Sequence, residues 1–496
     1  GRAEDMLDQA LETYGKSKAY PFHMPGHKRR NMGIADPYQV DITEIHGFDN
    51  LHDPQGYLLE AMEHLQNLYG SDHSYLLVGG STAGNLAAVF AAADQGQELI
   101  VGRNSHRSVY NGAYLRRCRL HYLYPRPWAG ASFSGEILPE DVEEALLRYP
   151  ESRGVLITCP TYEGVMSDVG EIAEVCHRHG VPLIVDAAHG AHLGFSPFFP
   201  PSPVKEGADL VVMSLHKTLP SLTQTAVLHL RGERISRERC EKFLSIFQSS
   251  SPSYVLMDSM VKCIRYLEEN KEEAFSRFAG LLTDFYDRAE CLRHLRVLGT
   301  RGRDPSKIVI STAGTGMTGE ELSRWLRETD GLELEMSASD YALAMTSIMD
   351  SPEGFERLLA ALRELDGQMS GPEETRDSRA MEERTRLQKR QKRNRGSSAA
   401  GSGAGAKEEV EQVLELWEAE DSEREEIALE EAGGSVAAGQ VAVYPPGIPL
   451  IVPGERIGES RILQIEQALA DGLTVNGLKR REGRWYLPAV KRQNMS

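Results

Sequence analysis

The sequence predicts an α/β protein: a large, doubly wound, mainly parallel sheet followed by smaller α/β units. Three observations carry this. From about residue 55 to 290, short runs rich in Val, Ile and Leu alternate with helical patterns. The runs end at Gly, Asp or Ser, and the residues with chemical potential lie just past those ends. Continuous apolar runs of this length read as buried parallel strands, and the helices between them as crossovers. Ligands of such sheets bind beyond the carboxyl ends of the strands.

Taken in order, "GRAEDMLDQALETYG" is acidic and helix-patterned, so these residues do not read as a signal peptide. "SYLLVGG" then leads into "STAGNLAAVFAAADQG", "ELIVGRN" into "HRSVYNGAYLRR", and "GVLITCP" into "GEIAEVCHRHG". "PLIVDAAHG" and "DLVVMSLHKT" follow as two more strand-to-turn units. A second α/β unit spans 295–368: "KIVISTAG", "LELEMSAS" and "ALAMTSI" read as strands, "TGEELSRWLRET" and "GFERLLAALREL" as helices. Residues 369–407 have almost no large apolar side chains and end in Gly, Ser and Ala, so they read as a disordered basic linker. "KEEVEQVLELWEAEDSEREEIALEEA" reads as one acidic helix, and "VAVYPPGIPLIVPGERI" as an apolar strand between Pro-Gly turns.

At 496 residues the chain can bury a large core in more than one domain. A net charge of −18 argues against a nucleic-acid surface. The basic cluster at 384–395 reads as a solvated tract rather than an RNA site. Six cysteines without paired spacing give neither a zinc pattern nor a disulfide framework, which fits a reducing, cytoplasmic home. No apolar run is long enough to span a bilayer.

Two strand ends carry the chemistry. "LIVDAAHGAH" delivers Asp186, and "LVVMSLHKT" delivers Ser214, His216 and Lys217. A lysine at the mouth of a buried strand loses solvation, and its amine becomes nucleophilic. A lysine that forms a Schiff base, with an aspartate for a ring nitrogen, suits pyridoxal phosphate. A structural ion pair between the two is the alternative. "VGGSTAGN" supplies a possible phosphate cradle: Gly80 permits close approach, Ser81 and Thr82 offer hydroxyls, and a helix N-terminus follows. His106 follows another strand, placed to stack on a flat ring. His189 and His192 have HxxH spacing but no third ligand, so no metal is expected. The histidines of "PFHMPGHKRR", His27 among them, carry the same reservation.

These stretches, together with "DITEIHGFDNLHDPQG", "DAAHGAHLGF", "SLHKTLPSLTQTA", "SSSPSY" and "YPPGIPLIVPGE", run in order from residue 21 to about 457. In them the chain resembles the bacterial Orn/Lys/Arg decarboxylases, pyridoxal-phosphate enzymes of fold type I (aspartate-aminotransferase-like). The resemblance implies that Lys217 bonds the cofactor, Asp186 holds the pyridine nitrogen, and Ala188 and His106 cover the two ring faces. It implies a phosphate site of Gly80, Ser81, Thr82, Ser214 and His216. Ser250 or Ser251 would reach the neighbouring subunit's phosphate in a homodimer or a dimer of dimers. His189 and His27 are candidates for substrate contact.

The implied reaction is decarboxylation of arginine, lysine or ornithine to the amine, in polyamine metabolism. An aminotransferase or lyase on the same fold is the alternative. The second unit's strands offer no arginine to clamp an α-carboxylate, which favours decarboxylation. Many relatives carry an acidic residue directly after the aspartate; here it is Ala187. The signature begins near the start of the chain, so a short form without the N-terminal receiver-like domain is expected. The expected organisation is an arm (1–50), a cofactor-binding domain (51–294), a small domain (295–368), the linker and a C-terminal domain (408–496).

Overall fold

The computed structural model describes residues 7–369, 410–444 and 447–491. The arm holds α1 (Leu7–Lys16), β1 (Tyr20–Phe22) and α2 (Pro37–Val40). The largest unit then runs α3 (Tyr57–Tyr69), β2 (His73–Leu77), α4 (Gly80–Ala92), β3 (Glu98–Gly102), α5 (Arg107–Arg116) and β4 (Arg119–Leu123). It continues with α6 (Pro139–Arg148), β5 (Val155–Thr158), α7 (Val169–Arg178), β6 (Leu183–Asp186), β7 (Leu210–Ser214), the short α8 (Leu215–Thr218) and β8 (Ala226–Leu230). α9 (Arg237–Phe247) and the 36-residue α10 (Tyr254–Ala289) close it.

The strands form one seven-stranded sheet in the order β2-β8-β7-β6-β5-β3-β4. β8 runs antiparallel to both neighbours, and the strands from β7 to β4 pair in parallel. Apolar clusters cover both faces, and every residue of β6, β7 and β8 is buried. That is why β6 and β7 read as unbroken apolar runs rather than alternating ones. The apolar pattern does not single out β4 or β8: β4 interleaves Arg119 and His121 with apolar residues, and β8 carries His229. His229 is accommodated by a hydrogen bond to Ser74 and by the Tyr69 ring.

The second unit comprises β9 (Arg296–Val297), β10 (Lys307–Ser311), α11 (Gly319–Asp330), β11 (Leu332–Leu334), β12 (Met336–Ser337), β13 (Tyr341–Met345) and α12 (Pro352–Gln368). Its antiparallel sheet has the order β12-β13-β10-β9, while β11 pairs in parallel with β1 of the arm. A Thr318/Glu321 capping box starts α11, as the sequence "TGEE" implies.

The acidic stretch after the linker is not one helix. Helix Leu416–Asp421 ends after six residues, and β14 (Arg424–Ala428) follows. The remaining strands are β15 (Val441–Tyr444), β16 (Ile448–Ile451), β17 (Thr474–Asn476), β18 (Lys479–Arg481) and β19 (Arg484–Val490). Tertiary pairing overrides helix propensity here: β14 zips antiparallel to β19, Lys479 and Arg481 neutralise Glu426 of β14, and Lys491 pairs with Glu423 just before it. The predicted strand of the Pro-Gly segment is present as β16. The linker, with its basic cluster, lies outside the described residues apart from Met369. Among the described residues no helix is long and apolar enough to cross a membrane.

Candidate active site

Adjacent parallel strands bring the two key residues together. Asp186 ends β6 in register with Val212 of β7, two residues before β7 stops at Ser214. α8 then turns the chain over the strand ends and carries His216 and Lys217.

Asp186 is 2 % exposed, and its hydrogen bonds hold it rigidly. Ala188 N donates to Oδ1 at 3.1 Å, and Asn85 Nδ2 donates to Oδ2 at 2.9 Å. The same Asn85 amide donates to Ser108 Oγ, which lies 2.9 Å from His106 Nδ1. A relay therefore links the carboxylate to the histidine that caps α5. Ser108 N also donates to His106 Nδ1, so Nδ1 is an acceptor and the ring proton sits on Nε2. Burial pushes the His106 pKa down, against the pull of Asp186.

Lys217 Nζ lies 2.9 Å from His189 Nε2. Burial lowers the lysine's pKa, while Asp186 and Glu335 oppose the shift. A desolvated amine between two carboxylates is set up as a nucleophile. Burial and the neighbouring Lys217 hold His189 well below the usual histidine range, so it is neutral. Tyr162 packs against the His189 ring at 4.6 Å, and its hydroxyl donates to Glu335.

The turn between β2 and α4 forms the third wall. Gly80 takes φ +68°, a left-handed conformation that glycine adopts without strain. No side chain caps the first turn of α4, so its N–H groups face outward for an anion. Ser81 and Ser214 place their hydroxyls 2.7 Å apart across this turn, and Thr82 is exposed beside them. His216 lies on the same rim; its Nδ1 donates to Thr225 O at 2.9 Å, and burial pushes it down to about 4.

"PFHMPGHKRR" braces the lysine turn. Gly26 N donates to His216 O at 2.7 Å, and a Cβ on Gly26 would lie 2.7 Å from the backbone N and O of Leu219. Lys28 is buried and donates to the carbonyls of Pro21, His23 and Met345. His27 is half-buried near His216; its pKa falls through burial and the charge of Lys28. The motif is thus a structural clasp between arm, second unit and site.

The sequence-predicted residues Gly80, Ser81, His106, Asp186, Ala188, His189, Ser214, His216 and Lys217 converge at these strand ends. Ser250 and Ser251 do not join them: both are exposed in the turn between α9 and α10. His192 points elsewhere, to Asp304 and Ser306. Among the described residues no three His, Cys, Asp or Glu side chains group as a metal site.

The apolar pattern misses Asn85, Tyr162, Glu335 and Lys307. Asn85 was legible in principle, as a lone polar residue within the buried helix "GNLAAVFAA". Glu335 arrives from the second unit, and only the fold places it near Lys217.

The site fits pyridoxal phosphate. A nucleophilic lysine, a buried carboxylate one strand away, an uncapped helix start and the orphaned buried Asn85 Oδ1 match an aldehyde, a ring nitrogen and a phosphate.

Comparison with known proteins agrees. The family profile "Orn/Lys/Arg decarboxylase, major domain" matches residues 6–279, and the family's C-terminal domain matches 414–471. An arginine decarboxylase of Bacillus subtilis is 29% identical over 490 residues, covering 96% of this chain and 95% of the relative. The crystal structure of the Francisella novicida lysine decarboxylase superposes with a TM-score of 0.76 at 20% identity, over 97% of this chain and 80% of that one. An alanine–glyoxylate aminotransferase from Nostoc sp. aligns with a TM-score of 0.56 at 14% identity, over 73% of this chain and 100% of that one. Likeness at such identity shows the shared fold type I; the reaction class comes from the family match, which spans more than half of the chain. On that match the chain belongs to the Orn/Lys/Arg decarboxylase family and is a pyridoxal-phosphate-dependent amino-acid decarboxylase.

Proposed function

We propose that the protein decarboxylates arginine to its amine, a polyamine precursor, as a cytoplasmic homodimer or dimer of dimers. The observation that carries the reading is Lys217, desolvated and 2.9 Å from a neutral histidine, with Asp186 on the adjacent strand. The arginine decarboxylase of Bacillus subtilis, similar over nearly the whole chain, supports arginine ahead of lysine and ornithine. Glu335 beside Lys217 offers the negative charge that a basic side chain needs.

In this reading Lys217 bonds the cofactor and Asp186 keeps its ring nitrogen protonated. Asn85 holds Asp186 in place for that task. Ala188 and His106 cover the ring faces. Gly80, Ser81, Thr82, Ser214 and His216 hold the phosphate. A bound dianion would favour the protonated form of His216, which is neutral without it. Ser250 or Ser251 completes the phosphate site of the partner subunit. His27 and Glu335 line the substrate side. The cofactor, when bound, supplies the electron-withdrawing ring that accepts the electron pair left as CO2 departs. The chain's part is to orient the amino acid, exclude water, hold a proton at Lys217 Nζ and set the Asp186 carboxylate against the ring nitrogen.

The test is CO2 release from arginine, lysine and ornithine in parallel, with the amine identified. Arginine alone, or best, is expected, and Lys217→Ala is expected to abolish release. Preference for lysine or ornithine would overturn the substrate. Normal release by Lys217→Ala would overturn the mechanism.

A further inference from the structure

Behind Lys217 lies a histidine that the assigned roles leave unexplained. His189 is 5 % exposed, three residues after Asp186 on the loop leaving β6. Its Nε2 meets Lys217 Nζ at 2.9 Å, and its Nδ1 is buried with no hydrogen-bond partner. The Tyr162 ring leans on the imidazole, and the Tyr162 hydroxyl is tied to Glu335. The ring is therefore clamped, with one nitrogen committed to the lysine.

The charges around the pair set its direction. Asp186 and Glu335 face Lys217 from β6 and from the second unit. Lys307, from β10, is fully buried; its Nζ has no hydrogen-bond partner but faces Asp304 Oδ2 at 3.7 Å, and it acts on both His189 and Lys217. His106, His216 and, more remotely, Lys28 and His27 complete the set. Two nearby lysines and burial keep the imidazole neutral. A neutral ring accepts at one nitrogen only, and an ammonium has donors alone. In its ammonium form, Lys217 Nζ therefore donates and His189 Nε2 accepts.

We infer that His189 is the positioning residue for Lys217: it holds the lysine's ammonium, freed when substrate binds, over the reacting carbon, so that Lys217 delivers the proton that replaces the carboxylate. The inference rests on the decarboxylase reading. In the step, the Cα–carboxylate bond breaks, CO2 leaves, and a proton passes from Lys217 Nζ to Cα. Solvent returns one proton to Nζ. The sum is amino acid plus one proton giving amine plus CO2. Without the clamp, Nζ would swing away from Cα; water would then release the substrate skeleton as an aldehyde, the cofactor retaining the amino nitrogen and the electron pair left by CO2.

The experiment uses the full-length chain with His189→Phe, His189→Asn and His189→Gln. Phe fills the space without an acceptor, Asn is too short to reach Nζ, and Gln restores an acceptor. The first readout is on cofactor-free protein: competitive acetylation of Lys217 against pH, read by mass spectrometry. Loss of the acceptor destabilises the ammonium, so the Phe and Asn curves are expected to move to lower pH by about one unit, a tenfold change in reactive fraction. The Gln curve is expected to return towards wild type. The second readout is aldehyde formed per amine during turnover, expected to rise about tenfold or more in Phe and Asn, with kcat falling and KM little changed. Superimposable labelling curves, or an unchanged aldehyde-to-amine ratio, would overturn the inference; either foldable variant suffices. If wild type releases no CO2 from any basic amino acid while the labelling curves still shift, the decarboxylase substrate reading fails and the His189–Lys217 coupling stands.

Discussion

At the scale of single residues, desolvation shapes this protein more than direct ion pairing. Lys217, His189 and His106 have pKa values moved by burial first and by neighbouring charges second, and His216 by burial first and its hydrogen bond to the Thr225 carbonyl second. Glu206 shows the same physics away from the site. It is half-buried, and burial with nearby Asp168 pushes it up to about 7 from an ordinary 4.5. Between those values the folded state binds the proton more tightly than the unfolded chain. The stability this contributes is full below the unfolded value and is lost as pH rises through about 7. Glu206→Gln is therefore expected to leave the urea midpoint unchanged near pH 4.5. Near pH 8 it is expected to add about 1–2 kcal/mol, the full shift being discounted for partial exposure. A variant no more stable at the higher pH would contradict this.

At the scale of elements, the short α8 turn depends on a neighbour distant in sequence. Four residues cannot hold a helix by themselves. The clasp from Gly26 supplies the missing support, and its geometry leaves no room for a side chain. Gly26→Ala must push the arm away from Thr218 and Leu219. Cofactor affinity, followed by absorbance titration, is expected to fall roughly 10- to 100-fold, since small misplacements of reacting groups carry costs of that order. Circular dichroism should stay unchanged. Asn85 makes a parallel case within α4. Asn85→Ala removes the amide from Asp186 and breaks the link to Ser108 and His106. A buried carboxylate losing a donor is expected to cost about 1–3 kcal/mol of stability, read from the urea midpoint.

At the scale of the whole molecule, a buried ion pair helps to fasten the C-terminal segment to the large sheet. Arg103 and Glu455 meet at 2.8 Å, with side chains 6% and 3% exposed. Arg103 also donates to the carbonyls of Pro449 and Leu450. Leu416 and Val452 add to the apolar cluster on that face of the sheet. Removing one partner strands the other charge without water, so Glu455→Ala is expected to destabilise by about 3–5 kcal/mol. Protease sensitivity of the C-terminal segment should rise before that of the sheet. A melting curve and digestion pattern like wild type would show that the apolar contacts suffice alone.

Much of this was legible in the chain itself. The buried runs that became β6 and β7 read as central strands, because three or four consecutive large apolar residues ending at Asp186 and Ser214 suit a sheet covered on both faces. Asp186, Lys217 and the Gly80–Thr82 turn followed, since ligands collect where such strands end. Partners from distant segments were not legible. Nothing local to "LELEMSAS" says that Glu335 faces Lys217, and nothing in "DAAHGAH" says which histidine meets the lysine and which meets Asp304. The acidic stretch before residue 430 looked helical because its best partner, β19, lies some sixty residues downstream. Periodicity and desolvation cost are written residue by residue, so the sequence by itself determined the strands and the chemistry they deliver. Register between distant segments depends on which surfaces remain to be buried once the core has formed, and only the tertiary structure decided that.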